Sequence, residues 1–475
     1  MPGPRLIEIL LKQRKAQLED GAPSAEQRID RLNRCIGLLV DRRGDIETAL
    51  TADFGARSPT VTAFADVVSS IGPLKHARDH VRHWMKTERR RTTPRILGFL
   101  GARAEIRYQP KGVVGVISPW NFPVNLTFAP LAGVLAAGNR AMIKPSETTP
   151  ATSELLKQMF ASAFDESEIA VVTGGPDVGQ AFSSLPFDHL VFTGATAIGR
   201  HVMRAAAENL VPVTLELGGK SPVVIGHSAD MSVAAARIMN GKTLNAGQIC
   251  LAPDYVLAPA DRLPDFVNAA KASVGKMFPS VRESPDYTAI VTDRHYARLM
   301  DYLDDARAKG AEIVEINPGA EDLRQQPHRR IAPTLILNPT DDMKVMQEEI
   351  FGPLLPVKAY RDIQDAIDYI NAHDRPLGLY YFGSDAAERD RVLDGTTSGG
   401  VTVNDVVMHV AQEELPFGGI GPAGMGAYHG YDGFREFSHR KSIYHQIKWD
   451  LAPLRMLRPP YGAGLAKYLG MQIKR

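Results

Sequence analysis

Cys250 is one of only two cysteines in 475 residues, and it lies in Asn245-Ala-Gly-Gln-Ile-Cys250-Leu-Ala-Pro, a glycine-containing loop with polar neighbours. A thiol ionises near pH 8.5, close enough to neutrality for its surroundings to turn it into a strong nucleophile. A lone cysteine is more often a small buried hydrophobe, and this string by itself fits that use as well. Cys35 is the second cysteine. It falls in Arg31-Leu-Asn-Arg-Cys-Ile-Gly-Leu-Leu-Val40, an amphipathic helical pattern, and reads as core packing.

Other groups able to do chemistry stand at the ends of β-rich runs. Gly112-Val-Val-Gly-Val-Ile-Ser-Pro-Trp120-Asn121-Phe-Pro places an amide just past a buried strand, where it can donate hydrogen bonds to a developing oxyanion. Val213-Thr-Leu-Glu216-Leu-Gly-Gly-Lys ends a strand on a carboxylate that meets two glycines, which suits a side chain aimed into a cleft between domains. Ala141-Met-Ile-Lys144-Pro-Ser-Glu147 ends another strand on a Lys and a Glu able to bind vicinal hydroxyls; a helix N-terminal box is the competing use. Phe187-Asp-His-Leu-Val-Phe-Thr-Gly194-Ala-Thr-Ala-Ile-Gly199 reads as strand, glycine turn and helix, so it offers a helix N-terminus to a phosphate. Its spacing is Gly-x-x-x-x-Gly, a weak dinucleotide signal alone. Gln347-Glu-Glu349-Ile-Phe351-Gly-Pro and the glycine-rich stretch from Pro416 to Gly426 are further turns, and the second lacks the strand–helix context of a phosphate loop.

These residues need elements to position them. Short β-rich runs at Gly112–Ser118, Ala141–Lys144, Ile169–Thr173, His189–Thr193 and Val213–Leu217 alternate with helical stretches such as Thr149–Phe164 and Thr196–Asn209. That alternation predicts a parallel sheet with right-handed crossovers. A second alternating region runs from Met231 to about Asn404, with strands at Ala332–Leu337, Leu354–Tyr360 and Leu379–Phe382 and helices at His295–Lys309 and Ile363–His373. Residues 24–91 read as helices with charged faces. The predicted class is α/β, with two doubly wound domains in series.

Composition sets limits. The hydrophobic fraction of 44 % and the charged fraction of 23 % are those of a globular protein with large cores, and a net charge of +1 gives no global attraction to nucleic acid or an anionic membrane. Two separated cysteines suit a reducing compartment, and no run approaches the roughly 20 apolar residues of a membrane span. A cytoplasmic location is expected. The one basic run, residues 86–95, reads as a solvated helix end. His76, His80 and His83 share a helical face, but no Cys, Asp or Glu cluster completes a metal site in the sequence, so none is expected there.

Seven of these strings occur in the order and approximate spacing of one family. Pro-Trp-Asn121-Phe-Pro, Lys144-Pro-Ser-Glu147, Phe-Thr-Gly194, Glu216-Leu-Gly-Gly-Lys, Gly-Gln-Ile-Cys250, Glu349-Ile-Phe351-Gly-Pro and Pro-Phe417-Gly-Gly make the chain resemble an aldehyde dehydrogenase over almost its whole length. Cys250-Leu-Ala-Pro-Asp-Tyr-Val, Gly-Met-Gly-Ala-Tyr-His429-Gly and Phe437-Ser-His-Arg440 resemble the class 3 branch, and within it a bacterial group acting on coniferyl aldehyde.

The resemblance implies an aldehyde dehydrogenase-like fold. Residues 1–94 and 110–217 would form a Rossmann-like NAD(P)-binding domain and 218–415 the catalytic domain. Residues 95–109 and 436–475 would form a small oligomerisation element with the C-terminal tail, pairing into a homodimer. It implies that Cys250 is the nucleophile, Asn121 an oxyanion donor and Glu216 the base that activates water, with Glu349 able to share that role. Lys144 and Glu147 would hold the adenosine ribose of NAD, NADP being possible, and Glu349 the nicotinamide ribose. Ser118, Trp120, Thr193, Gly194, Gly199, Leu217 and Phe351 would complete the cofactor site. Ala195 departs from the family's frequent Ser, which removes one hydroxyl from the phosphate turn. The implied reaction oxidises an aromatic aldehyde to its acid with no metal. A medium- or long-chain aliphatic substrate is the alternative. A Cys-dependent acyltransferase or a non-catalytic binding protein would leave Glu147, Gly194, Glu349 and Phe351 without work.

Overall fold

The computed structural model describes residues 3–474. Its larger compact unit comprises Met1–Trp84 with Pro110–Ser438, and its smaller one Met85–Gln109 with His439–Arg475.

The larger unit is built on two sheets. In the first, the spatial order is Gly424–Met425, Val213–Leu217, His189–Gly194, Val113–Ile117, Arg140–Lys144 and Ile169–Val171. All neighbours are parallel except the two-residue strand Gly424–Met425, which runs antiparallel to Val213–Leu217. These strands are Val/Ile/Leu-rich and almost wholly buried, as a sheet covered on both faces must be. From the central strand Val113–Ile117 the chain first moves outward to Arg140–Lys144 and Ile169–Val171. It then returns to the other side for His189–Gly194 and Val213–Leu217. The order therefore reverses between Val113–Ile117 and His189–Gly194. Open α/β sheets bind ligands outside the carboxyl ends of strands at such a reversal. Those ends carry Ser118-Pro-Trp120-Asn121 and Gly194-Ala195.

The second sheet has seven strands in the order Glu312–Glu315, Thr334–Leu337, Leu354–Tyr360, Tyr255–Pro259, Pro222–Ile225, Gly378–Phe382 and Gly400–Val403, parallel but for Glu312–Glu315. Two large apolar clusters cover its faces, one including Val223, Val256, Leu355 and Tyr380, the other Val224, Leu257, Leu354 and Tyr381. The alternation of these neighbours between clusters is the period-two signature of a strand. The α/β expectation holds in both sheets.

Two local readings change. The basic run from Lys86 is not a helix end: the helix Ser69–Trp84 stops before it, and Glu88–Arg90 is an edge strand. Charged side chains such as Arg89 and Arg90 on an exposed edge discourage unwanted pairing. The small unit consequently begins at Met85 rather than Arg95, and it is entered again at His439 rather than 436. It holds a three-stranded sheet in the order Glu88–Arg90, Arg103–Pro110, Ser438–His445, and it exposes Trp449, Tyr461 and Ile473. Cys35 is fully buried, as its helical spacing predicts.

Candidate active site

The loop that presents Cys250 is conformationally unusual. After the helix Met231–Thr243 the backbone passes through Asn245, Ala246 and Gly247 with φ of 49°, 53° and 74°. Left-handed geometry is cheap for Gly and tolerable for Asn, but for Ala it stores strain that the surroundings must hold. The Gln248 side chain does much of that holding. Its amide donates to the carbonyls of Asn245 (2.9 Å) and Ala289 (3.1 Å), and its oxygen accepts from the Val291 N–H at 3.0 Å. Space also constrains the turn: a Cβ on Gly247 would lie 2.3 Å from the Gly352 carbonyl oxygen.

The same loop is tied to Asn121. The Asn121 side-chain amide donates to the Gln248 carbonyl (3.1 Å), and that of Asn245 donates to the carbonyls of Asn121 and Gln248 (3.3 Å each). Arg57 adds a bond to the Asn121 carbonyl at 2.8 Å while pairing with Asp66 at 2.6 Å. Both charged side chains are fully buried. Asp66 sits in the π-helical turn Ala63–Val68, and its second oxygen accepts from the N–H groups of Val124 and Asn125. Removing one partner of such a pair typically costs about 3–5 kcal/mol, so the segment carrying Asn121 is held firmly. Neither Arg57 nor Asp66 is singled out by the sequence. A buried pair nine residues apart has no motif; only the π-turn that aims Asp66 inward brings them together.

Glu216 lies on Val213–Leu217, between Thr193 on one side and Gly424 on the other. Its side chain is buried and neither carboxyl oxygen has a partner. Burial, and then the charge of Glu436, push its pKa well above the ordinary carboxylate range. Glu349 is raised to about 8, by burial first and the charge of Asp254 next, and its Oε1 is unpartnered. The carboxylate lies against Gly218, where a Cβ would meet Oε2 at 2.0 Å, so the glycine pair after Glu216 makes room for Glu349. The turn around Glu349 is clamped by Arg298, which donates to the carbonyls of Glu349 and Ile350. Lys220 adds bonds to the carbonyls of Val345 and Glu348 and pairs with Asp254, which accepts from the Ile350 N–H. The Cys250 thiol is pushed up to about 12 by burial, then by the charges of Glu349 and Glu216. These three groups therefore share one electrostatic environment in which each tends to keep its proton.

The expected cofactor residues fall into two places. Lys144 ends its strand buried, with Nζ 2.6 Å from Glu147 Oε2, whose side chain is partly exposed. The Lys144 carbonyl also accepts from the Ser118 N–H, and the Ser118 hydroxyl pairs with that of Thr127. Thr193 ends the strand beside Glu216 with a buried hydroxyl that has no partner. The helix Thr196–Ala207 starts at Ala195 with no side-chain cap, leaving its N-terminal turn to an outside acceptor. Gly199, in the first turns of that helix, packs on Leu217: a Cβ there would meet the Leu217 side chain at 2.6 Å. Trp120 and Phe351 meet edge to face with ring centroids 5.3 Å apart, and His295 lies 4.9 Å from Trp120. Phe351 itself has φ of 50°. The orphaned oxygens of Thr193 and Glu349 and the Lys144–Glu147 pair fit a ligand bearing hydroxyls and phosphate, as a dinucleotide does.

The sequence strings leave Tyr428 without a role. It is buried, and burial first, then the charges of Glu216, Cys250 and Glu413, push its hydroxyl's pKa well up. The rings of Tyr428, Phe417 and His429 are mutual neighbours, with centroids 5.0–6.0 Å apart.

The profile of the family described as "Aldehyde dehydrogenase family" matches residues 8–443. A relative from Caulobacter vibrioides, described as a probable coniferyl aldehyde dehydrogenase, is 69 % identical over 98 % of this chain and 96 % of its own. A coniferyl aldehyde dehydrogenase from a Pseudomonas species is 54 % identical over 97 % of this chain and 95 % of its own. Among solved structures, the substrate-bound state of Staphylococcus aureus AldH superposes with a TM-score of 0.91 at 36 % identity, covering 99 % of both chains.

Proposed function

The chain belongs to the aldehyde dehydrogenase family, and from that premise we propose that it oxidises a phenylpropanoid aldehyde of the coniferyl type to the carboxylate, using NAD in preference to NADP. The observation that carries the assignment of roles is the grouping of Cys250 with two buried carboxyl groups that have unpartnered oxygens, beside an amide tied to the cysteine loop.

Cys250 attacks the carbonyl carbon as its proton passes to the ionised fraction of Glu349, whose pKa of about 8 leaves it partly deprotonated near neutrality. The adduct's oxyanion is met by the Asn121 amide and the Cys250 N–H. A bound nicotinamide dinucleotide would supply the hydride acceptor for the former aldehyde carbon. Lys144 and Glu147 would hold one ribose, Glu349 the other, and the turn Thr193–Gly194 the phosphates, while Ser118, Trp120 and Phe351 wall the site and Leu217 and Gly199 set the close packing beneath it. The thioester left on Cys250 is then opened by water, whose proton goes to Glu216, and the thiol is regenerated with release of the acid. A base with a raised pKa is suited to taking that proton near neutrality. A Cys-dependent acyltransferase would leave the orphaned oxygens of Thr193 and Glu349 without purpose.

Absorbance at 340 nm tests the substrate assignment. Coniferyl aldehyde is expected to exceed an aliphatic aldehyde of similar length in kcat/KM by about 10-fold or more, the scale that pocket complementarity supplies. Equal or reversed efficiencies would make the enzyme a general or aliphatic aldehyde dehydrogenase.

Cofactor choice turns on Glu147. Its carboxylate can accept hydrogen bonds from two ribose hydroxyls but repels a 2′-phosphate. Lys144 is already engaged with that carboxylate at 2.6 Å, so only part of its charge is available to offset the repulsion. Glu147→Gln is expected to raise the kcat/KM ratio of NADP to NAD; a ratio unchanged from the parent would mean that the carboxylate does not face the ribose.

We also propose a homodimer. The eight-residue strand Ser438–His445 lies at an edge of the small sheet, and an open edge can pair with a second copy. Light scattering at micromolar concentration is expected to return twice the chain mass; a monomer or tetramer would overturn it. A cytoplasmic location accords with two free thiols, Cys35 and Cys250. Among the described residues no helix is long and apolar enough to cross a membrane.

A further inference from the structure

We propose that His76, His80 and Glu414 bind one divalent transition-metal ion of the zinc class, at a site separate from Cys250 and independent of the reading of the active site. The two histidines lie one turn apart on the helix Ser69–Trp84, with ring centroids separated by 4.3 Å. Glu414 comes from the distant segment just before Pro416-Phe417, and its Oε1 lies 3.1 Å from His76 Nε2. One ligand atom from each of the three residues lies within 4.8 Å of the other two. Ligand atoms about 2.0–2.1 Å from a tetrahedral zinc stand roughly 3.3 Å apart, close to the 3.1 Å of the His76–Glu414 pair.

The hydrogen bonding also suits a metal. His80 Nδ1 lies 2.8 Å from the His76 carbonyl oxygen. A carbonyl can only accept, so Nδ1 is the donor and Nε2 is the nitrogen that faces a metal. Metal-binding histidines are commonly oriented in this way, by donating the other N–H to a backbone carbonyl. Trp84 lies against both rings, at 5.6 Å from His76 and 5.8 Å from His80, and limits their rotation. Three protein ligands would leave a fourth position to water. His80 and Glu414 are exposed, so the ion has a path in. It would join the helix Ser69–Trp84 to the segment leading into Phe417, which packs on His429.

The test is a zinc titration of the full-length, chelator-stripped chain against a chromophoric chelator, repeated by cobalt absorption. The parent and Cys250→Ser are both expected to bind one ion at this site with micromolar or tighter affinity. His80→Ala should weaken it by at least about 10-fold and abolish the cobalt spectrum, whereas His83→Ala, on the same helix but outside the cluster, should change neither. Affinity unaffected by His80→Ala, loss of the ion in Cys250→Ser, or binding weaker than about 100 μM would each overturn the proposal; the last would leave His76 and Glu414 as a simple surface ion pair.

Discussion

Cys250→Ala is expected to lower the rate of aldehyde oxidation by at least about 10⁴-fold while NAD still binds, because no other thiol can reach the carbonyl and the covalent route is removed entirely. Cys35 cannot substitute: it is fully buried and its thiol is pushed far up by that burial. Cys35→Ala should keep turnover close to the parent's. The environment of Cys250 sharpens the expectation. In the free protein its thiol is held at about 12, so a bare thiolate is rare near neutrality and attack must be coupled to proton transfer. Reduced-cofactor production is the measurement, with cofactor binding followed separately by fluorescence quenching. Normal turnover in Cys250→Ala would remove the covalent mechanism.

Glu216→Gln is expected to keep a burst of one reduced cofactor per chain and to lose steady-state turnover by about 10²–10⁴-fold, the range for a general base. The substitution is unusually clean here. Neither Glu216 oxygen makes a hydrogen bond, so an amide of the same shape removes proton-accepting ability without breaking a contact. The thioester then forms and is not hydrolysed. Stopped-flow absorbance separates the phases. Loss of the burst would assign Glu216 to the attack step; an unchanged steady state would make Glu349, raised to about 8, the base.

The sequence by itself determined the α/β class, most strands and the strings that carry the candidate site. All three depend on local chemistry. Leu354–Tyr360 and Val213–Leu217 announce themselves as short, apolar, β-branched runs, and the helix Thr196–Ala207 as an apolar period after a glycine turn. The rule that ligands sit beyond the carboxyl ends of strands points to Asn121 and Gly194 on the first sheet. On the second sheet the candidate groups lie at the opposite ends. Cys250 precedes the strand Tyr255–Pro259 and Glu349 precedes Leu354–Tyr360, so that sheet presents the amino ends of its strands to the site. No local pattern encodes how one sheet faces another.

Tertiary structure alone decided the rest, because each feature joins groups far apart in the chain. Arg57 with Asp66 supports Asn121, and Gln248 steadies a strained turn by reaching Ala289 and Val291. Within the basic run, Glu88–Arg90 became an edge strand because Arg103–Pro110 was available to pair with it, a partnership that outweighs helical propensity. The carboxylate beside His76 and His80 is that of Glu414, which sequence spacing places nowhere near them. A carboxylate's ability to bind a metal or hold a proton is set by the low-dielectric neighbours that surround it. Those neighbours exist only once the chain has packed.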